Sequence, residues 1–288
     1  MTAGTFLPSF LALAAVLALS RGSGRLAPRT AATLLAAGCV IAVTATAVAI
    51  AAFVLDQLAA VPWLALRLGW CARAVATPAG VIAVSGGVGV LLCGLRAGAV
   101  TAQRHRCHRS TSTEPIVVVE STVPHALAVP GRPGQVVVTT GLLDVLDPLE
   151  RRAVLAHEFA HLRLHHDVYL RIATVSAAAL PLLRPVRDRL RFAIERWADE
   201  SAATEVGSRT SVATALLKVA LAGAHRDVSP APLGIGGADI AQRVALLQEA
   251  LSPVGFLVTG ASTAAAVTAA ALAVTQVHHL VTLATTLC

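Results

Sequence analysis

Long unbroken apolar runs lie toward both ends of this chain, and shorter, punctuated patterns fill its middle. Phe6 to Ser20, Ala31 to Leu58, Ala79 to Leu95 and Phe256 to Val274 are each rich in Ala, Val and Leu and nearly free of charge. Apolar stretches of about this length cover the hydrocarbon thickness of a bilayer, so they are candidate spans. The first is short, which leaves a cleaved or re-entrant segment as the alternative. A signal peptide carries its positive charge before the apolar run, whereas here Arg21 and Arg25 come after it. The middle reads differently. Ile116–Val119 and Val136–Thr139 are β-branched runs with Pro130-Gly131-Arg132-Pro133-Gly134 as a turn near them, which predicts strands. Asp147-Pro148-Leu149-Glu150 supplies an N-cap, a proline at the first helical position and an acidic first turn, so a helix starts there. Val168 to Val186 is apolar but broken by Arg171, Pro181 and Arg184. It is expected to pack on the middle domain and dip into the membrane interface. Helices over 187–206, 211–224 and 238–251 follow, with a Pro/Gly loop over 228–237. The expected fold is a mainly α membrane protein of about four transmembrane helices. Residues 1–97 hold three spans (about 6–20, 31–58 and 79–95), 98–254 form an inserted α+β domain, and 255–288 hold the fourth span and a tail.

Composition agrees. Of 288 residues 56% are hydrophobic and 14% charged, and the mean hydropathy is +0.71, too apolar for an ordinary soluble domain. The net charge of +7 does not point to nucleic acid, because the arginines flank apolar segments with almost no aromatic residues between them. Arg21, Arg25 and Arg29 form one basic loop, and Arg96, Arg104, Arg106 and Arg109 another. The positive-inside rule puts both loops and the middle domain in the cytoplasm, with both termini outside the cell membrane. His105, Cys107 and His108 fall in the second loop and read as headgroup-facing residues, not a metal site. Gly86, Gly87, Gly89 and Gly94 lack the spacing of a nucleotide loop and suit close helix packing. Cys39 and Cys93 lie in lipid, Cys71 and Cys288 fall on the outer side, and no C-x-x-C occurs, which argues against thiolate zinc.

The candidate chemistry sits in Arg151 to Asp167, around His157-Glu158-Phe159-Ala160-His161. Residues four apart share a helix face, so the two imidazoles can hold one Zn²⁺ between them. Glu158, beside the first ligand, is placed to take a proton from water and pass it to a leaving amine. A catalytic zinc needs a third protein ligand. Glu195, in Glu195-Arg196-Trp197-Ala198-Asp199, would supply it from a second helix. Asp199, one turn on, would accept a hydrogen bond from the other nitrogen of a ligand histidine. His165 and His166, just past the motif, are not assigned to the metal. Tyr169 is a weak candidate for the oxyanion.

H-E-x-x-H followed by E-x-x-x-D resembles the gluzincin metallopeptidases with membrane segments, nearest the BlaR/MecR-type group, with the HtpX-like and CAAX-prenyl-protease group next. The likeness runs from about Pro115 to Val206 and includes Val136-Val137-Val138-Thr139-Thr140-Gly141-Leu142-Leu143, similar to the strand and TGL lead-in of these families. It implies a gluzincin zinc-peptidase domain with one zinc per chain, hydrolysing peptide bonds at the cytoplasmic face of the bilayer. It also implies an edge strand on which a protein or peptide substrate pairs, for which Ala126, Leu127, Ala128 and Val129 are the candidates. His125 stands where these families often carry Asn. One implied partner is a BlaI-like transcriptional repressor cleaved in signalling. Acylation by a β-lactam is not expected, since Ala215 precedes Lys218 where S-x-x-K needs Ser. Two rival readings stand beside this one. The first is an HtpX-like protease that clears faulty membrane proteins, and the second is a non-catalytic zinc-binding membrane scaffold. No direct contact with nucleic acid is expected under any of the three.

Overall fold

The computed structural model describes residues 2–59, 114–224 and 237–249, with isolated positions at 67, 94 and 98. The third and fourth candidate spans, Cys71, Cys93 and Cys288, the His105–His108 stretch and nearly all of the 228–237 loop lie outside the described residues. By its contacts the chain divides into two units.

The first unit contains α1 (Thr2–Gly22) and α2 (Pro28–Ala59), joined by a short 3-10 turn at Ser23–Arg25. Two apolar stretches here, Phe6–Arg25 and Pro28–Val54, are long enough to cross a bilayer. The two helices approach closely because Gly38 has no side chain. A Cβ there would lie 2.5 Å from Val16 Cγ2. Ser9 donates to the Ala45 carbonyl at 3.0 Å, and Phe6 meets Phe53 with ring centroids 5.9 Å apart. Small residues and interhelical hydrogen bonds of this kind are what hold helices together in lipid, where no hydrophobic drive exists between them.

The second unit carries the candidate chemistry. Its three-stranded sheet has the order β1 (Ile116–Val119), β3 (Gln135–Thr139), β2 (Ala126–Val129), with β3 parallel to β1 and antiparallel to β2. The central strand is the most buried, as its unbroken valines require. Thr139 then ends the sheet and starts α3 (Thr140–Val145): its hydroxyl donates to the Val123 carbonyl at 2.7 Å and accepts from Leu142 N–H. Gly141 follows because the chain passes tightly against Thr122, whose carbonyl oxygen a Cβ would strike.

Helix α4 (Pro148–Arg163) opens with a full capping box. Asp147 accepts from the N–H groups of Leu149 and Glu150 at 2.9 Å each, and the Glu150 carboxylate accepts from Asp147 N–H at 2.9 Å. Glu150 is buried and also pairs with Lys218 of α7 (Arg209–Ala224) at 2.7 Å. One face of α4 packs under β3 and α3 through Val154, Leu155 and Phe159 against Val136, Val138 and Leu142. Another packs Ala153 and Ala156 against Ala202 and Ala203 of α6 (Arg184–Val206) and against Val244 and Leu247 of α8 (Gly237–Gln248). Alanines at these crossings bring the helix axes close.

Between α4 and α6 runs α5 (His166–Ala179), followed by a 3-10 turn at Pro181–Leu183. Here the sequence expectation needs correction. The stretch was expected to pack on the middle domain, yet by its contacts Arg171–Leu190 belongs with the unit of α1 and α2. The physical reason is its composition: beyond Leu170 it offers mostly Ala, Val, Ile and Leu, which suit contact with other apolar helices.

Candidate active site

Helix periodicity brings His157 and His161 of α4 onto one face, and α6 lays Glu195 across from them. The two Nε2 atoms are 3.2 Å apart. Glu195 places one carboxylate oxygen 3.5 Å from His157 Nε2 and the other 3.8 Å from His161 Nε2. These ligand atoms all lie within 4.8 Å of one another. Imidazole nitrogens about 2.0–2.1 Å from a tetrahedral zinc would be roughly 3.3 Å apart, so the pair is already spaced for a shared cation. The three side chains are 14%, 15% and 20% exposed, so none is wholly sealed from solvent.

Each ligand is held from behind. His157 Nδ1 donates to Asp199 at 3.0 Å, which turns its Nε2 toward the other ligands. His161 Nδ1 lies 3.0 Å from His166 Nδ1. Arg243 of α8 donates to both oxygens of Asp199, at 2.8 and 2.7 Å, and reaches Glu195 at 3.1 Å. Asp199 and Arg243 are both 2% exposed, so this is a buried ion pair with its hydrogen bonds satisfied.

The charges follow from these contacts. Burial pushes His157 down, but the hydrogen bonds and charges of Asp199 and Glu195 outweigh it and lift the imidazole to about 10. Burial takes His161 down to about 4 and His166 to about 3. Burial would raise Glu195 and Asp199. Instead His157 and Arg243 hold Glu195 below the ordinary carboxylate range, and the same two partners do so for Asp199. Glu158 is the exception, since burial raises it above its ordinary value.

Glu158 is also tied to the sheet. Its carboxylate accepts from Ala128 N–H at 2.8 Å. In an antiparallel strand the N–H and C=O of one residue point the same way and alternate along the strand. His125 faces β3, because its carbonyl accepts from Thr139 N–H at 3.0 Å. Ala126 and Ala128 therefore face the open edge of β2, while Leu127 and Val129 face β3. All four candidate substrate-strand residues thus lie on an edge strand beside the metal helix, and His125 sits at its start. Tyr169, the oxyanion candidate, rests its ring edge on Trp197 at 5.9 Å.

Spacing alone did not reveal two residues here. His166 has no assignment from the motif, and Arg243 lies too far along the chain for spacing to connect it to the site. The one available signal for Arg243 was an arginine on the otherwise apolar side of an amphipathic helix, Ile240-Ala241-Gln242-Arg243-Val244, which asks for a buried acidic partner.

Two imidazoles one helical turn apart, a carboxylate from a second helix and a further carboxylate beside them are the donor set of a metallopeptidase. The profile of peptidase family M48 matches residues 97–275, more than half of the chain, and the chain belongs to that family. It is 42% identical over 81 residues to a "Protease HtpX homolog" of Dictyoglomus thermophilum, a segment covering 27% of this chain and 26% of that protein. It is 40% identical over 72 residues to "Protease HtpX homolog 2" of Methanosarcina acetivorans, 24% of each. A third relative, the "Plastoglobule-localized metallopeptidase 48, chloroplastic" of Arabidopsis thaliana, is 42% identical over 62 residues, 21% of this chain and 18% of that one. The match spans about a quarter of the length of the first two relatives. No solved structure matches the chain. These findings carry the membrane metallopeptidase part of the resemblance and its HtpX-like side. They do not support the BlaR/MecR-type group specifically.

Proposed function

We propose that this protein is a membrane-embedded zinc endopeptidase of HtpX-like character, holding one zinc per chain and cutting protein substrates at the cytoplasmic face. The observation that carries the reading is the convergence of His157, His161 and Glu195 within 4.8 Å, with Asp199 behind His157 and Glu158 beside the open edge of β2. His157, His161 and Glu195 would hold the metal, their second nitrogens and oxygens being engaged by the surrounding protein. Bound there, zinc supplies a Lewis acid that polarises a peptide carbonyl and acidifies water. The rest falls to the chain. An extended substrate pairs with the outward N–H and C=O groups of Ala126 and the C=O of Ala128. Glu158, kept basic enough by burial, takes a proton from the attacking water and delivers it to the departing amine.

Of the relatives named above, two carry HtpX names and none a name of the BlaR/MecR type, which supports the HtpX-like reading over cleavage of a BlaI-like repressor. We infer spans within 1–97 and a last span within 255–288 with both termini outside, and the peptidase within 98–254 apart from Arg171–Leu190, which groups with α1 and α2. The arginine-rich loops support that orientation. An intact Glu158 argues against a mere zinc-binding scaffold, since a structural site needs no general base.

The test is zinc content by elemental analysis of the wild type, His157→Ala and Glu195→Ala, together with proteolysis by Glu158→Gln. About one zinc per wild-type chain, lost in both ligand variants, with a folded, zinc-loaded and inactive Glu158→Gln, is the expected result. Full zinc in Glu195→Ala, or full activity in Glu158→Gln, refutes it.

A further inference from the structure

His166 is a buried side chain at the site that the mechanism above leaves unused. It is 0% exposed, at the start of α5. One ring nitrogen, Nδ1, lies 3.0 Å from His161 Nδ1. The other, Nε2, is buried and has no hydrogen-bond partner among the described residues. The Trp197 indole packs on the ring with centroids 4.8 Å apart.

Two ring nitrogens at that separation share one hydrogen, and the direction of the bond follows from what His161 must do. A neutral imidazole carries its proton on one nitrogen and a lone pair on the other. If His161 is to offer Nε2 to a metal, its proton must be on Nδ1. His161 then donates, and His166 Nδ1 is the acceptor. His166, neutral in a buried setting, must carry its own proton on Nε2, the nitrogen with no oxygen or nitrogen partner. The reverse bond would place the His161 proton on Nε2, aimed at His157 Nε2 3.2 Å away, and would close the ligand position.

We propose that His166 is a positioning residue that locks His161 in its metal-binding tautomer by accepting the Nδ1 hydrogen. It fills for His161 the place that Asp199 fills for His157, but as a neutral acceptor rather than an anion. The two ligand histidines are therefore unequal: His157 is backed by a carboxylate and is the stronger donor, and His161 by an imidazole and is the weaker. The orphaned Nε2–H is the cost of that arrangement. This inference rests on the zinc reading given above.

The experiment separates the acceptor from the ring. His166→Phe keeps an aromatic ring and loses the acceptor. His166→Asn loses the ring and keeps an acceptor oxygen near the Nδ1 position. Zinc affinity is measured for the full chain in detergent by competition with a chromogenic chelator, and the Co²⁺-loaded protein is read by its visible absorption. The expected outcome is a zinc affinity roughly 10–100-fold weaker in His166→Phe, with a changed Co²⁺ spectrum, and most of the affinity restored in His166→Asn. Should His166→Phe fail to fold, His166→Leu against His166→Asn gives the same decision. Wild-type affinity in the acceptor-less variant overturns the proposal. So does an equal loss in both variants, which would assign His166 to packing alone. A wild type that binds no zinc overturns instead the functional reading on which the proposal stands.

Discussion

Arg243→Met removes the guanidinium that bridges Asp199 and Glu195. The guanidinium makes two hydrogen bonds to Asp199 and a third contact, at 3.1 Å, to Glu195. Methionine fills similar space without charge, so two carboxylates are left facing each other with only His157 between them. Breaking one partner out of a buried pair costs about 3–5 kcal/mol, because the remaining charge is stranded out of water. For a domain of this size 1 kcal/mol moves the unfolding midpoint by roughly 2–4 °C, so a drop of about 10 °C is expected. The sign of the pH dependence is also fixed. In the wild type, Asp199 and Glu195 are held below the ordinary carboxylate range, and they stabilise the fold at neutral pH. Without Arg243 their burial is no longer offset and their protonation moves upward. The deficit of the variant should therefore grow from pH 5 to pH 8. Thermal unfolding of chelator-treated wild type and variant in the same detergent, followed by tryptophan fluorescence across that range, measures it. A midpoint within about 2 °C of wild type, or a deficit independent of pH, would refute the argument.

Zinc binding near neutral pH should release about one proton per ion. His157 alone among the ligands is held up, to about 10, and must lose its proton to bind, while His161 at about 4 and the ionised Glu195 contribute none. Calorimetric titration in buffers of different ionisation enthalpy counts that proton, and a count near zero would show that His157 is neutral before the metal arrives. Asp147→Ala deletes the acceptor for two N–H groups at the start of α4 and should cost about 1 kcal/mol. Equilibrium unfolding checks this, and no loss would mean that Lys218 and Glu150 hold the helix end without the cap.

The sequence made local devices plain and distant ones obscure. Asp147, Pro148 and Glu150 act within a few residues of themselves, and their order placed the start of α4, while the β-branched run Val136–Thr139 placed the central strand. His157, His161, Glu195 and Asp199 were legible for the same reason, since each pair is one helical turn apart. Arg243 follows Asp199 by 44 positions, and no periodicity links the two. His166 was ambiguous because a histidine beside a metal motif reads equally well as solvated or buried, and only the packing of Trp197 decides. The Arg171–Leu190 stretch was misplaced because length argues against a span without saying which apolar surface a shorter segment seeks.

The order of synthesis gives the Arg243 contact a further meaning. Every candidate ligand and the general base leave the ribosome before Arg243 does, so a growing chain carries its cutting residues while their counter-ion is still unmade. Until that arginine is made, His157 is the one remaining cation beside both Glu195 and Asp199 among the described residues. We expect a chain ending at residue 236 to hold zinc poorly beside the full chain, and equal zinc retention would dismiss the idea. On this view the sequence leaves the candidate metal site incomplete until late: the residue that balances its charge is made after the ligands are already in place.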